Sequence, residues 1–394
     1  MKKQRKLNTP PICKSLIFKV LGVTLLAFVL SVALQAPFTA STSSIFSGPE
    51  KPDFTITDIY AQIADGRPVR RMEDRIRIID IGIGGREEIA DALEILSFCE
   101  PKAVGLDIIF EQPSDDDSRL LAALQSTPNI VLPIGVASDG DRFKIDDRPF
   151  FYEDLPGISY GVINIPTSGP KSSVREYAVS FPTSDGKLPS FVAAVAEKSD
   201  PDAVKALTGR GNDVETIAYH SKEYKIYTLD ELADHAEEFI DKIVLIGSMS
   251  DASDMHPTPI NSYVPGLIIH ASALSTLLDR EWYTTLPRYM DYLLAFVICF
   301  LIILATIGIK GGIRGLIVRI IQVVLAYSAV RIGYELFIDK HIVCNFSGTL
   351  LMIALGLFAV DIWNGMSALI SLLKKNIKKI KNKRETTRTC ENCY

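Results

Sequence analysis

Apolar and polar positions divide the chain into two kinds of segment. Lys14 to Leu34, Met290 to Ile309 (MDYLLAFVICFLIILATIGI), Leu316 to Ile338 and Val343 to Trp363 are each apolar over the roughly 20 residues that cross a bilayer core. They predict four transmembrane α-helices, one N-terminal (14–34) and three C-terminal (289–309, 316–338 and 343–363). The third of these spans carries Arg319, Arg331 and Glu335, each costing about 2.5–3.5 kcal/mol at mid-membrane. Arg319 lies near one end and can snorkel, while Arg331 and Glu335 are four apart on one face and can neutralise each other. The basic start MKKQRK before an apolar run is shared by membrane anchors and cleaved signal peptides. A long core from Lys19 to Leu34, with no clear A-x-A site at its end, favours an anchor.

Between the first and second apolar blocks the period changes. Residues 36–74, rich in Ser, Thr, Pro and charge, read as a linker, with a short helix over Thr57 to Ala64. From Arg75, RIRIIDIG predicts a strand, and Glu87 to Phe98, with apolar residues three and four apart, a helix. Ala103 to Phe110 predicts a second strand, Ser114 a cap for the helix SRLLAALQ with acids in its first turn, and Asn129 to Val136 a third strand. Asp139 to Thr183, with many prolines and glycines, reads as loops and short strands. Ser190 to Glu197 predicts a helix, Thr228 caps LDELADH, Lys242 to Gly247 (KIVLIG) reads as a buried strand, and His270 to Leu278 as a helix running toward the membrane. This alternation predicts an α/β fold over 75–287, with a mixed, mostly parallel sheet and helices on both faces.

Charge separates along the same boundaries. From Ala36 to Pro287 there are 22 Lys and Arg against 41 Asp and Glu, and the rest of the 394 residues holds 20 against 6. An acidic domain on a basic membrane base argues against nucleic acid as a partner and fits a domain facing away from anionic headgroups. Basic residues accumulate on the cytoplasmic side, here MKKQRK, Lys310 to Arg314, and KKNIKKIKNKR from Lys374. Residues 1–13 and the basic tail 364–394 are then cytoplasmic and the number of crossings is even. The expected location is a bacterial inner membrane, multi-pass, with the large domain periplasmic. Of six cysteines only Cys99 falls in that domain, so its core rather than a disulfide framework holds it. Cys390 and Cys393 have C-x-x-C spacing, but with no second pair and no His nearby they read as part of a loose tail.

In open α/β sheets ligands bind beyond the carboxyl ends of the strands. Asp80 and Asp107 sit at the ends of adjacent-type strands, and Gly247 and Ser248 end another, with Asp251, Asp254 and His256 close behind. These seven residues form the candidate ligand-binding site, suited to a cation, a polar ligand or an activated water. The competing role for Asp80 and Asp107 is to cap helices or bind loop amides, and for His256 and His270 a structural one. Asp115, Asp116 and Asp117 suit a calcium site but equally complement a helix N-terminus. Gly82-Ile-Gly84-Gly85 lacks the full phosphate-binding pattern. No Ser-His-Asp order, H-E-x-x-H or G-x-S-x-G motif backs catalysis, and no catalytic residue, metal or cofactor is expected.

Three segments, KAVGLDIIFEQPSDDDSRLLAAL, FPTSDGKLPSFVAAVAE and KIVLIGSMSDASDMHPTPINSYVPGLIIHASALSTLLDRE, resemble the CHASE2 domains, extracytoplasmic sensory modules of bacterial signalling receptors. The resemblance covers roughly Arg75 to Glu281. Family members usually place a longer aromatic and proline-bearing segment after the first strand's acid, whereas here Asp80 is followed directly by IGIGGREEIADAL, which implies a different ligand-facing surface. Family receptors also carry a kinase or cyclase after the last span. About 30 residues follow Trp363 here, fewer than a domain needs, so the resemblance implies output through a separate cytoplasmic or membrane signalling protein.

The expected function is a non-enzymatic, membrane-anchored sensor. Its expected partners are membrane lipids, met by four helices and the basic tail, an unknown periplasmic ligand and that signalling protein. A homodimer is left open. The alternatives are a periplasmic metal-dependent hydrolase built on Asp80, Asp107, Asp254 and His256, and an envelope assembly scaffold. Four spans with few buried polar groups argue against a transporter.

Overall fold

The computed structural model describes residues 11–40, 55–66, 71–115, 117–152, 155, 157–166, 172–219, 222–307, 314–344 and 346–391. The basic start MKKQRK, Asp116, Lys310 to Ile313 and Cys393 lie outside them. The chain divides into two compact units, one of residues 1–46, 285–336 and 343–394, the other of 47–284 and 337–342.

The first unit opens with α1 (Pro11–Ala40). The second opens with α2 (Ile56–Asp65), where Thr55 and Asp58 form a capping box, the Thr55 amide donating to the Asp58 carboxylate at 2.8 Å. Tyr60 on α2 is fully buried and Asp58 is held by Arg175 at 2.7 Å, so this part of the stretch expected as linker belongs to the folded unit. There follow β1 (Arg71–Asp80), α3 (Arg86–Cys99), β2 (Ala103–Leu106), α4 (Asp117–Ser126), β3 (Ile130–Asp139), β4 (Arg142–Asp147), β5 (Ser159–Val162), β6 (Glu176–Ala178), β7 (Ser180–Thr183) and β8 (Gly186–Pro189). The unit ends with α5 (Phe191–Ser199), α6 (Pro201–Gly209), β9 (Val214–Thr216), β10 (Lys222–Thr228), β11 (Ile243–Gly247), β12 (Met255–His256), β13 (Val264–Pro265) and α7 (Gly266–Asp279).

Among the described residues nine strands form one sheet in the order β10-β1-β11-β2-β3-β4-β7-β8, with β5 also on β3. Strands β10, β1, β11, β2, β3 and β5 pair in parallel, while β3–β4 and β7–β8 are antiparallel. This is the mixed, mostly parallel sheet that the sequence predicts. Successive side chains leave a strand on opposite faces. Ile243 and Leu245 of β11, with Ile76 and Ile78 of β1, therefore pack on α5, α6 and α7. Val244 and Ile246, with Ile79, Val104 and Leu106, pack on α3 and α4. Burying each such side chain contributes about 1.5–3 kcal/mol, which is why KIVLIG reads as a run and not an alternation.

Some expectations change. β11 lies between β1 and β2, so the strands that carry Asp80 and Asp107 are not neighbours. The third strand runs on to Asp139 and turns back as β4. The helix expected at His270 starts at Gly266 and is buried from Leu267 to Leu277 except at Ile268, which makes it a core helix. LDELADH forms two 3-10 turns rather than an α-helix. Ser114 donates its amide to Asp117 at 2.5 Å instead of capping with its hydroxyl.

In the first unit α1 packs with α8 (Arg288–Ile307) through Val20, Val23, Ala27, Ala295 and Cys299, and this cluster takes in Met352 and Val360 of α10 (Ser347–Glu391). Between them in sequence, α9 (Arg314–Lys340) is largely exposed. Among the described residues two helices are long and apolar enough to cross a membrane, Leu16–Leu34 and Gly315–Lys340. A third is added if Gly348–Gly356 and Phe358–Lys378, bent by 41° at their junction, count as one span. The expected span at 289–309 falls short among the described residues, its apolar part running only from Tyr289 to Ala305. The span expected to be weakest is one of the two that suffice. Its Arg331 and Glu335 do pair, at 3.1 Å, but both are exposed rather than buried. The tail expected to be loose continues α10 as helix to Glu391, with Lys374, Lys375 and Lys378 exposed.

One buried acid ties the edge of the sheet to the core helix. Glu73 of β1, only 5% exposed, accepts two hydrogen bonds from the Arg75 guanidinium, both at 2.7 Å, and one from Ser275 of α7 at 2.8 Å. Lys222 of β10 stands 3.4 Å away, and Asp279 pairs with both Arg75 and Lys222. Burial alone would raise the Glu73 carboxyl, but these bonds and charges lower it from 4.5 to about 2. A depressed folded value means stability that is present above pH 4.5 and lost as pH falls toward 2. Glu73→Gln should lower unfolding stability at pH 7 by about 2 kcal/mol, after discounting for the half-exposed Arg75, and flatten the acid limb below pH 4.5. Urea unfolding of the full-length protein across pH checks both.

Candidate functional site

The strands β1, β11 and β2 lie side by side and end together. Asp80 stands opposite Gly247, and the Asp107 amide donates to the Ile246 carbonyl at 2.7 Å. Beyond the ends of β11 and β2, and beside β3 and β4, opens a cavity of about 630 Å³, within the range of small-molecule sites. Asp107, Ser248, Asp251, Asp254 and His256, five of the seven expected residues, line it. Gly247 lies behind Asp107. A Cβ there would meet the Asp107 Cβ and a Leu267 methyl, each at 3.2 Å, so its missing side chain allows the close approach. Asp80 is not brought in. Its Oδ1 accepts the amides of Gly82 and Met249, both at 3.0 Å, which is the loop-binding role the sequence left open.

The loop after β11 is held by its own short side chains. Ser248 Oγ accepts the Asp251 amide at 3.1 Å, and Asp251 Oδ1 accepts the amide and hydroxyl of Ser253 at 2.8 and 2.6 Å, which hold its carboxyl below the usual range. Asp254 Oδ2 accepts the Gly266 amide at 3.1 Å, placing a carboxylate at the positive end of α7. A Cβ at position 266 would fall 2.5 Å from both Asp254 oxygens, so any other residue would push this carboxylate from its place. The other oxygen, Oδ1, lies 3.2 Å from His256 Nε2.

Two groups on the cavity wall lack such support. The Asp107 carboxyl is partly exposed to the cavity and has no side-chain hydrogen bond among the described residues. Burial, aided by the Asp254 charge, pushes it up from 3.8 to about 7. His270, one turn into α7, is buried with its ring edge-on to Phe191 at 5.3 Å and likewise has no hydrogen bond among the described residues. Burial takes it down to about 4, against the pull of Asp254 and with a smaller push from His256.

Sequence reasoning missed Asp146 and Asp147 of β4 and Asn164, which also line the cavity. Asn164 holds Val136 like a strand neighbour, accepting its amide at 2.7 Å and donating to its carbonyl at 3.0 Å. All three fall in the stretch read as loops. Asp139-Gly140 between β3 and β4 was the available signal, since Asp-Gly between strands marks a hairpin. Other expected clusters have simpler roles. Asp117 pairs with Arg86 and takes the Ser114 amide, and the Gly85 amide is occupied by Glu88 at 2.9 Å, where a phosphate would need it. Among the described residues no group of three His, Cys, Asp or Glu side chains could hold a metal ion. The four residues of the hydrolase alternative do not converge either, because Asp80 faces its own loop amides.

A family model, the CHASE2 domain, matches residues 56–307. The chain belongs to the CHASE2 family. CHASE2 is a family of extracytoplasmic sensory domains, not of catalysts. The match begins in α2 and runs through α8, so every wall of the cavity lies inside this CHASE2 segment. No curated protein and no solved structure matches the chain.

The raised Asp107 carboxyl has a measurable cost. Its folded value lies above its unfolded one, so the folded CHASE2 domain binds more protons and loses stability as pH rises from about 4 to 7. Asp107→Asn removes that cost. The variant should be more stable than the parent by on the order of 2 kcal/mol at pH 8 and equal to it near pH 4, as urea unfolding at the two values would read.

Proposed function

We propose that the protein is a sensor of a bacterial inner membrane whose periplasmic domain binds a small polar ligand in the cavity beyond β11 and β2. The signal passes through its membrane helices to a separate partner. The observation that carries this is the coincidence of the CHASE2 match with a cavity on whose wall Asp107 and His270 are left without protein partners. Buried polar groups are ordinarily satisfied, and binding sites are where that rule is relaxed.

The topology proposed is four spans with both ends cytoplasmic. Lysine and arginine at MKKQRK, at 310–314 and from Lys374 support it, as do α1, α9, the bent α10 and the shorter apolar α8. The exposed lysines of α10 are where a cytoplasmic partner or anionic lipid would dock.

Ser184, exposed in the turn between β7 and β8, should as Ser184→Cys react with a membrane-impermeant maleimide on intact spheroplasts, and Lys375→Cys only after lysis. The opposite pattern would refute the topology. Ser253→Trp, on the cavity wall, should plug the site and reproduce the altered transcript profile of a strain lacking residues 56–284, with protein level unchanged. A plugged variant that behaves as wild type, while the deletion does not, would remove the cavity from the sensing role.

A further inference from the structure

The same cavity carries information about what it binds. Asp107, Asp146, Asp147, Asp251 and Asp254 approach it from three separate segments, and neither Lys nor Arg occurs among the described residues that line it. A cleft walled by one sign of charge concentrates the opposite sign. His270 supplies an independent indication. It is 7% exposed, opens on the cavity and has no hydrogen-bond partner among the described residues. Kept neutral by burial, its imidazole has a free acceptor nitrogen or a free N–H, and in an acid-lined cavity the complementary group is a donor. Ile109, Val136, Ile163 and Met255 add apolar surface to this otherwise polar lining.

We propose that the cavity takes a small organic amine bearing two or more ammonium groups on a hydrocarbon chain, an assignment that rests on the cavity being the sensor's ligand site. Each ammonium donates to carboxylates from a different wall, one of them also to His270, and the chain between lies on the apolar side chains. A bare divalent ion needs several donors around one point, and no such group exists among the described residues. A monoamine places a cation at one wall only and leaves the carboxylates of the others without one. Binding beside Asp107 also favours its ionised form, so an ammonium entering below pH 7 displaces the Asp107 proton into solvent.

The test uses the full-length protein in phosphatidylcholine nanodiscs, whose net charge does not itself attract cations. Butane-1,4-diamine, n-butylamine, calcium and succinate are titrated by calorimetry at pH 6.5, in two buffers of different ionisation enthalpy. The diamine should saturate one site, at least about tenfold tighter than butylamine, with a buffer-dependent heat that reports proton release. Asp107→Asn should weaken it by about tenfold and abolish the buffer dependence, and His270→Phe should weaken it without changing the buffer dependence. Equal affinity for mono- and diamine, diamine binding untouched by Asp107→Asn, or no diamine binding at all would overturn the assignment. Succinate or calcium binding that Asp107→Asn alters would also overturn it while leaving the cavity as a ligand site. The plugged Ser253→Trp strain tests that wider reading separately.

Discussion

Burial of the central sheet on both faces governs the rest of the structure. β1, β11 and β2 give alternate side chains to two different cores, and their shared length is apolar except at the ends and at Arg77, a buried charge that Glu238 pairs at 3.1 Å. A slip of one residue would exchange the two cores, which pins the register and with it the level at which all three strands stop. Polar chemistry is therefore pushed to the carboxyl edge. β11, far from β1 and β2 in sequence, is inserted between them and delivers the 248–256 loop onto that edge.

How far this was legible in the sequence depends on the range of the interactions concerned. RIRIIDIG, KIVLIG and the helix EEIADALEILSF reveal themselves because hydrophobic period is local, and the fold class followed from their order. The position of β11 between β1 and β2 did not, since pairing over such separations is decided by packing. Asp80 and Asp107 look alike in sequence, each an acid directly after an apolar strand run. Their roles diverge because the loops around Asp80 aim the Gly82 and Met249 amides at it, while Asp107 faces open space. His270 in an apolar helix reads as structural until the turn of α7 it occupies is known to border the cavity.

The membrane segments show the reverse balance. Hydropathy located the apolar blocks, but helix length depends on where each helix stops, which hydropathy does not mark. α10 runs past the last apolar residues because its lysine-rich continuation has good helix propensity. In α9, Arg331 and Glu335 meet on one face as their spacing of four requires, so each offsets the charge of the other.

The helix α7 joins two parts of the folded CHASE2 domain. Its first residue is clasped by Asp254 at the mouth of the cavity, and its last, Asp279, is gripped by Arg75 and Lys222 at the outer edge of the sheet. Fourteen residues of packed helix form a rod of about 20 Å, stiff along its axis. The carboxylate at the cavity mouth and the ionic clamp at the sheet margin are thus two ends of one rigid element, about 20 Å apart and joined without an intervening loop.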